Sequence, residues 1–377
     1  MISCGEPSGD LYAGALVNAL RARDPQLEAF GLGGEQLAGA GARLVADFRG
    51  LSVTGLTEAL KVLPRSWATY KQLVAAAREL RPDVLVLIDY PDFNFRLMRA
   101  IKALGIPIVY YISPQLWAWR PGRMKTMKEL VDRVLVIFPF EEALYRTAGV
   151  EVRFVGHPLL ELATPTADKA TLAGEFGLQP DRPIVALLPG SRPNELTRLA
   201  PVLSAAAGEI AARVPGVQFI VARAPHLDSS LFSTFSPTSI VGGRTDDVLS
   251  VSDLVLTASG TATVQTAMHG KPMVVLYKLS PMTYRLGKPL AKVEMYAMVN
   301  LIAGRRIVRE LIQDDCTPAA VADEAVALLT DVNRRDQMVQ DLAEVRAALG
   351  GPGASQRAAD AVIDLVQRVR ARASTGQ

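Results

Sequence analysis

Only two cysteines, Cys4 and Cys316, occur in 377 residues. That is too few for a disulfide framework, and it fits a reducing compartment. The three histidines, His157, His226 and His269, stand far apart and no Cys-x-x-Cys spacing occurs, so no metal centre is expected. No apolar run reaches the length of a membrane span, and the first residues lack the pattern of a secretory leader. The expectation is a chain that is soluble or rests on a membrane surface. Neither sign of charge is in excess: the net charge is +3, with arginines dispersed among acids, so nucleic acid is not expected as a partner. A dinucleotide fingerprint is also missing, so no nicotinamide cofactor is expected. Internal repeats and low-complexity tracts are absent.

What is present is a rhythm of short apolar runs and glycine-rich turns. The chain is long enough for two domains. Residues 84–88 form a continuous apolar run, which predicts a strand buried on both faces. Pro91 ends it, because proline cannot donate to a sheet ladder. Asp89, Asp92 and Asn94 are thereby delivered to the carboxyl end of a parallel strand, where open α/β sheets bind ligands. Asp92 or Asn94 capping the next helix is the plainer alternative. Upstream, Gly5-Glu-Pro-Ser-Gly-Asp10 follows a short strand and precedes a helical pattern. Its glycines would let backbone N–H groups approach an anionic or hydroxyl-rich ligand; a tight turn with Asp10 as cap is the structural alternative. The first strand, 1–4, is short for such a motif, which suggests that its natural beginning lies further upstream.

Further strands are expected at 106–112, 134–138, 184–188, 217–222, 254–257 and 273–277, alternating with helices. That alternation predicts doubly wound parallel sheets. The polar stretch 159–182, helical in part and containing Pro165 and Pro180, reads as an interdomain linker. Ser113-Pro-Gln-Leu-Trp-Ala-Trp-Arg120 resembles a pocket wall past a strand end. Two turns, Pro189-Gly-Ser-Arg192 and Ala258-Ser-Gly-Thr-Ala-Thr263, each lead from strand to helix and point to a phosphate-bearing ligand. Arg192 offers a positive fork for a diphosphate. Residues 51–73 carry an apolar stripe, expected in the core, interleaved with Lys61, Arg65 and Lys71 in a manner that also suits a membrane surface. Residues from 311 onward read as helical.

Taken together, these motifs resemble the lipid-A-disaccharide synthase family from Gly5 to the C-terminal helices; Phe154-Val-Gly-His157 and Asn300-Leu-Ile-Ala-Gly304 belong to the same set. The resemblance implies a GT-B fold: two Rossmann-like, doubly wound parallel-sheet α/β domains facing across a cleft. It implies an acceptor domain at 1–158, a UDP-sugar domain at 159–340 and helices at 341–377 that pack back on the first domain. The implied reaction is inverting and metal-independent, with no cofactor. UDP-2,3-diacylglucosamine is joined to 2,3-diacylglucosamine 1-phosphate through a β(1→6) bond, with release of UDP, at the cytoplasmic face of the inner membrane. A homodimer stays open.

Asp89 is expected to be the base, with Asp92 second. Glu6, Ser8, Gly9, Asp10, Asn94, Gln115 and Trp117 are expected to bind substrate. Gly190, Ser191, Arg192, Ser259, Gly260, Thr261, Gln265 and Asn300 are expected to bind UDP. One position departs from the family: Gln265 stands where a Glu usually holds the ribose hydroxyls. The alternatives are a UDP-sugar 2-epimerase on the same architecture and a non-catalytic nucleotide-sugar sensor.

Overall fold

The continuous apolar runs become buried parallel strands in the computed structural model, which describes residues 1–51, 56–114, 116, 122–235, 238–280 and 295–375, with the backbone alone for 56–62 and 375. The chain divides into two units, Met1–Pro158 with Leu349–Gln377, and Leu159–Ala348.

The first unit holds a seven-stranded sheet. Its strands are β1 (Ile2–Cys4), β2 (Phe30–Gly33), β3 (Arg43–Asp47), β4 (Leu85–Ile88), β5 (Ile108–Tyr111), β6 (Arg133–Val136) and β7 (Val152–Phe154). Their order is β3-β2-β1-β4-β5-β6-β7, and every pairing is parallel. Helices cover both faces, so β1, β4, β5 and β6 are buried at every position, as an unbroken apolar run requires. Helix α1 (Pro7–Arg21) starts on a proline, whose missing N–H costs nothing in a first helical turn. It buries Tyr12, Leu16, Val17 and Leu20. The last helix, Ala354–Thr375, lies against α1, with Arg23 paired to Asp360. It also reaches β6: the Arg133 side chain, 1% exposed, bonds Glu151 at 2.7 Å and Asp364 at 2.8 Å. The motif Phe154-Val-Gly-His157 is tied to the same region, because Arg357 donates to the Val155 carbonyl and the His157 amide to that of Leu349.

His157 is 1% exposed, its ring packed on Tyr12 and Phe138. Burial lowers its pKa from 6.5 to about 3. The unfolded chain therefore binds the proton more tightly than the folded one. Stability is intact above pH 6.5 and is lost as pH falls from 6.5 toward 3. In His157→Gln, the stability loss between about pH 6.5 and about pH 4.5 should be shallower by about 1.4 kcal/mol per pH unit. Denaturant midpoints across that range check this; parallel curves for the two proteins would refute it.

The second unit holds β8 (Ile184–Leu188), β9 (Gln218–Arg223), β10 (Ser239–Gly242), β11 (Leu254–Ala258), β12 (Met273–Tyr277) and β13 (Arg309–Ile312). The order is β10-β9-β8-β11-β12-β13, again parallel. The stretch 159–182 is not only a linker: its helical parts are Leu159–Leu162 and Lys169–Glu175, and it is bound into this unit. Thr166 donates to the buried Asp247 from its amide at 2.6 Å and its hydroxyl at 2.9 Å, and Arg244 pairs with Glu175. Nor is the chain wholly helical from 311, because Leu311 lies in β13.

The stripe at 51–73 belongs to helix α3 (Leu56–Leu80) and splits in two. Leu73, Val74 and Ala77 are core. Leu63 and Trp67 are 48% and 54% exposed.

Candidate active site

In each sheet the chain winds outward in both directions from one point. In the first unit that point lies between β1 and β4, and in the second between β8 and β11. At such a reversal the loops after the two central strands diverge to opposite faces and leave a crevice, which is where open sheets bind ligands. The turn 5–10 follows β1 and the turn 89–94 follows β4; 189–192 follows β8 and 259–263 follows β11. All four candidate loops therefore flank a switch point.

In the first unit, Asp89 sits directly past β4, partly exposed, with φ of 44°. Tyr90 and Ile112 are also left-handed, at 49° and 58°. Non-glycine residues in that region cost roughly 1–3 kcal/mol each, so something must hold them. The Asp89 carbonyl receives the Asn94 amide at 2.7 Å and the Tyr110 hydroxyl at 2.8 Å. Its amide donates to the Ile112 carbonyl at 3.1 Å. The backbone of Asp89 is thus pinned at the carboxyl end of β4. Asn94 is fully buried, and its side-chain oxygen accepts from the Ser3 hydroxyl at 2.7 Å. It clamps β1 to β4.

Asp10 is likewise engaged within the fold. At 4% exposure its carboxylate accepts the backbone amides of Gly34, Gln36 and Leu37 at 2.7, 2.9 and 3.1 Å. It caps the next helix, α2 (Glu35–Gly39), not its own. The glycines of the turn also serve packing. A Cβ on Gly5 would stand 2.2 Å from the Tyr90 ring, and one on Gly9 3.3 Å from Cys4 Cβ. That ring stacks on Phe93, and burial, with Glu6 and Asp92 nearby, pushes the Tyr90 phenol up to about 12. Glu6 and Ser8 remain partly exposed at the start of α1. Asp92 is 73% exposed at the head of α4 (Pro91–Lys102) and pairs with Arg123 at 2.6 Å. Gln115 and Trp117 lie outside the described residues.

In the second unit, Gly190 has φ of 114°, and a Cβ there would stand 2.5 Å from Glu195. Glu195 accepts the Ser191 amide and the Arg192 guanidinium, each at 3.1 Å. An internal carboxylate therefore holds the fork in place. Gly260, at φ of 146°, has open space around it. The first-turn amides of Thr261 and Ala262 meet no acceptor among the described residues, as at any uncapped helix start. Ser259 donates to the Tyr296 carbonyl at 3.1 Å. Gln265 donates to Asp246 at 2.8 Å. Asn300 is fully buried: it donates to Val308 and Glu310 and accepts the amides of Ile307 and Val308. These bonds fix the backbone leading into β13.

Sequence reasoning missed Glu195, Asp246 and Tyr110. Arg192-x-x-Glu195 has the spacing of a capping box, which was the available signal for the first. Among the described residues no cluster of His, Cys, Asp and Glu is arranged to hold a metal ion.

Solved structures of other proteins share this two-sheet fold. UDP-GlcNAc 2-epimerase from Neisseria meningitidis, bound to UDP-GlcNAc, superposes with a TM-score of 0.65 at 13% identity, over 96% of this chain and 98% of that one. The glycotransferase of kitacinnamycin gives 0.62 at 19% identity, over 97% of each. The class is therefore GT-B, an architecture that serves glycosyltransferases and 2-epimerases alike.

Sequence separates the two. The profile described as lipid-A-disaccharide synthetase matches residues 1–363. Lipid-A-disaccharide synthase of Myxococcus xanthus (strain DK1622) is 46% identical over 372 residues, covering 97% of each chain. The chain belongs to the lipid-A-disaccharide synthetase family and is a hexosyltransferase; the epimerase reading is not favoured.

Proposed function

We propose that this lipid A disaccharide-forming enzyme joins UDP-2,3-diacylglucosamine to 2,3-diacylglucosamine 1-phosphate, with the acceptor handled by the first unit and the donor by the second. The observation that carries this reading is the placement of both loop pairs at the switch points of their sheets. Asp89 takes the proton from the acceptor's 6-hydroxyl as that oxygen bonds the donor's anomeric carbon. The bond from that carbon to the diphosphate oxygen breaks, UDP leaves, and the configuration inverts to give the β(1→6) link. A base at this point is needed because a neutral hydroxyl is a weak nucleophile. Charge develops on the leaving diphosphate. The amides of Thr261 and Ala262 and the Arg192 guanidinium, oriented by Glu195, suit it. Gly190, Ser191 and Ser259 shape the same two turns, and Glu6 and Ser8 line the acceptor side.

Arg192→Ala is expected to weaken UDP binding by about tenfold to a hundredfold, the worth of hydrogen bonds to a charged group. The acceptor's KM should stay within about twofold. Equal losses for both substrates would remove Arg192 from the diphosphate.

We also infer contact with the inner-membrane surface, where a diacylated acceptor resides. No described helix is long and apolar enough to cross a membrane. The exposed Leu63 and Trp67 on α3 supply an apolar patch, and Lys71 lies 5.5 Å over the Trp67 ring. Cations beside an exposed tryptophan suit an anionic interface. Leu63→Ser and Trp67→Ser should each reduce co-sedimentation with anionic phospholipid vesicles by about tenfold, as the loss of one buried apolar side chain implies. Unchanged sedimentation of the double variant would place the contact elsewhere.

A further inference from the structure

Gln265 lies in the helix Thr261–Met268, which follows the Ser-Gly-Thr turn. Its amide nitrogen donates to Asp246 Oδ1 at 2.8 Å. The same oxygen meets His269 Nε2 at 2.9 Å. Asp246 comes from another element, the helix Thr245–Val251 that follows β10. Two side chains from one helix thus orient a carboxylate supplied by the next.

All the hydrogen bonds of that carboxylate fall on one oxygen. Asp246 Oδ2 and Gln265 Oε1 receive no hydrogen bond from any described residue. The Asp246 side chain is 26% exposed, so a ligand can reach it, whereas His269 is 8% exposed and acts from behind. The cluster therefore presents two adjacent acceptors, one of them charged. Phosphate is repelled by such a pair. Its natural complement is a pair of O–H donors on neighbouring carbons.

We propose that Asp246, held by Gln265 and His269, is the group that binds the ribose diol of the UDP-sugar. This rests on the reading of the second unit as the donor site. It also explains why an amide stands at position 265. A carboxylate there would lose the donor to Asp246 and face a like charge across the same short gap. In this chain Asp246 supplies the anion, and Gln265 is the positioning residue.

Calorimetric titration of the full-length protein with UDP and with 2′-deoxy-UDP tests this. The unaltered protein should prefer UDP by about tenfold to a hundredfold, the value of one hydrogen bond to a charged acceptor. Asp246→Ala and the isosteric Asp246→Asn should both reduce that preference to about threefold or less, with melting curves confirming that they fold. Gln265→Glu alone should weaken UDP binding by at least about tenfold. Combining it with Asp246→Asn should restore both affinity and preference, because the amide and carboxylate have then exchanged places. If Asp246→Asn keeps the full preference for UDP, the proposal is wrong while the donor site stands. If the unaltered protein gives no heat with UDP, the donor-site reading fails as well.

Discussion

Asp89→Asn is expected to abolish most turnover, lowering kcat by about a hundredfold to ten-thousandfold, the usual worth of a general base. UDP affinity should change by less than about twofold, because Asp89 lies in the first unit and the proposed UDP-binding turns lie in the second. Asparagine is the cleaner replacement here. Residue 89 has φ of 44°, a conformation that Asn tolerates and that strains alanine. The amide also preserves size while removing basicity. Asp89→Ala should therefore lose turnover equally but also lose some stability. Asp92 offers the contrast. It is exposed and paired with Arg123, so Asp92→Asn should retain activity to within about threefold, an exposed ion pair being worth little. If Asp89→Asn keeps most of its turnover while Asp92→Asn does not, the two roles are reversed.

The second large effect is on stability. Asp10→Ala removes the acceptor for three backbone amides, those of Gly34, Gln36 and Leu37. Each donor left unsatisfied in the interior costs roughly 1–3 kcal/mol, so a loss of about 3 kcal/mol or more is expected even after some rearrangement. For a unit of this size that lowers the melting temperature by about 6–12 °C. Residual turnover at low temperature should remain, because the Asp10 carboxylate is buried and already accepts three amides of the turn after β2. An Asp10→Ala protein that melts normally yet has no activity would return Asp10 to the substrate site.

These contrasting roles show what the sequence reveals and what it hides. The central strands are legible because burial on both faces leaves a continuous apolar run, as in 84–88 and 184–188. The edge strands β3, β7, β10 and β13 are not. Each has a partly exposed face and mixes Arg, Asp, Ser or Glu with apolar residues, so no run marks it. The loops of the site are legible because glycine, proline and acids collect where strands stop. Which acids face a ligand is not legible, because that depends on partners distant in sequence. Asp10 is claimed by amides 24 to 27 residues away and Asn94 by Ser3, 91 residues away. Asp246 gives no signal of its own, since its partners Gln265 and His269 are 19 and 23 residues downstream. The apolar stripe of α3 shows the same limit: its period is helical throughout, but the periodicity does not say that Leu63 and Trp67 would be left uncovered.

The most direct measurement of the whole account is the product itself. The protein is incubated with UDP-2,3-diacylglucosamine and 2,3-diacylglucosamine 1-phosphate, and the lipids are examined by mass spectrometry and proton NMR. A tetraacylated disaccharide 1-phosphate with a β(1→6) link, formed in step with free UDP, is the expected result. An epimerised UDP-sugar with the acceptor untouched, or UDP bound with no transfer under any acceptor concentration, would contradict it.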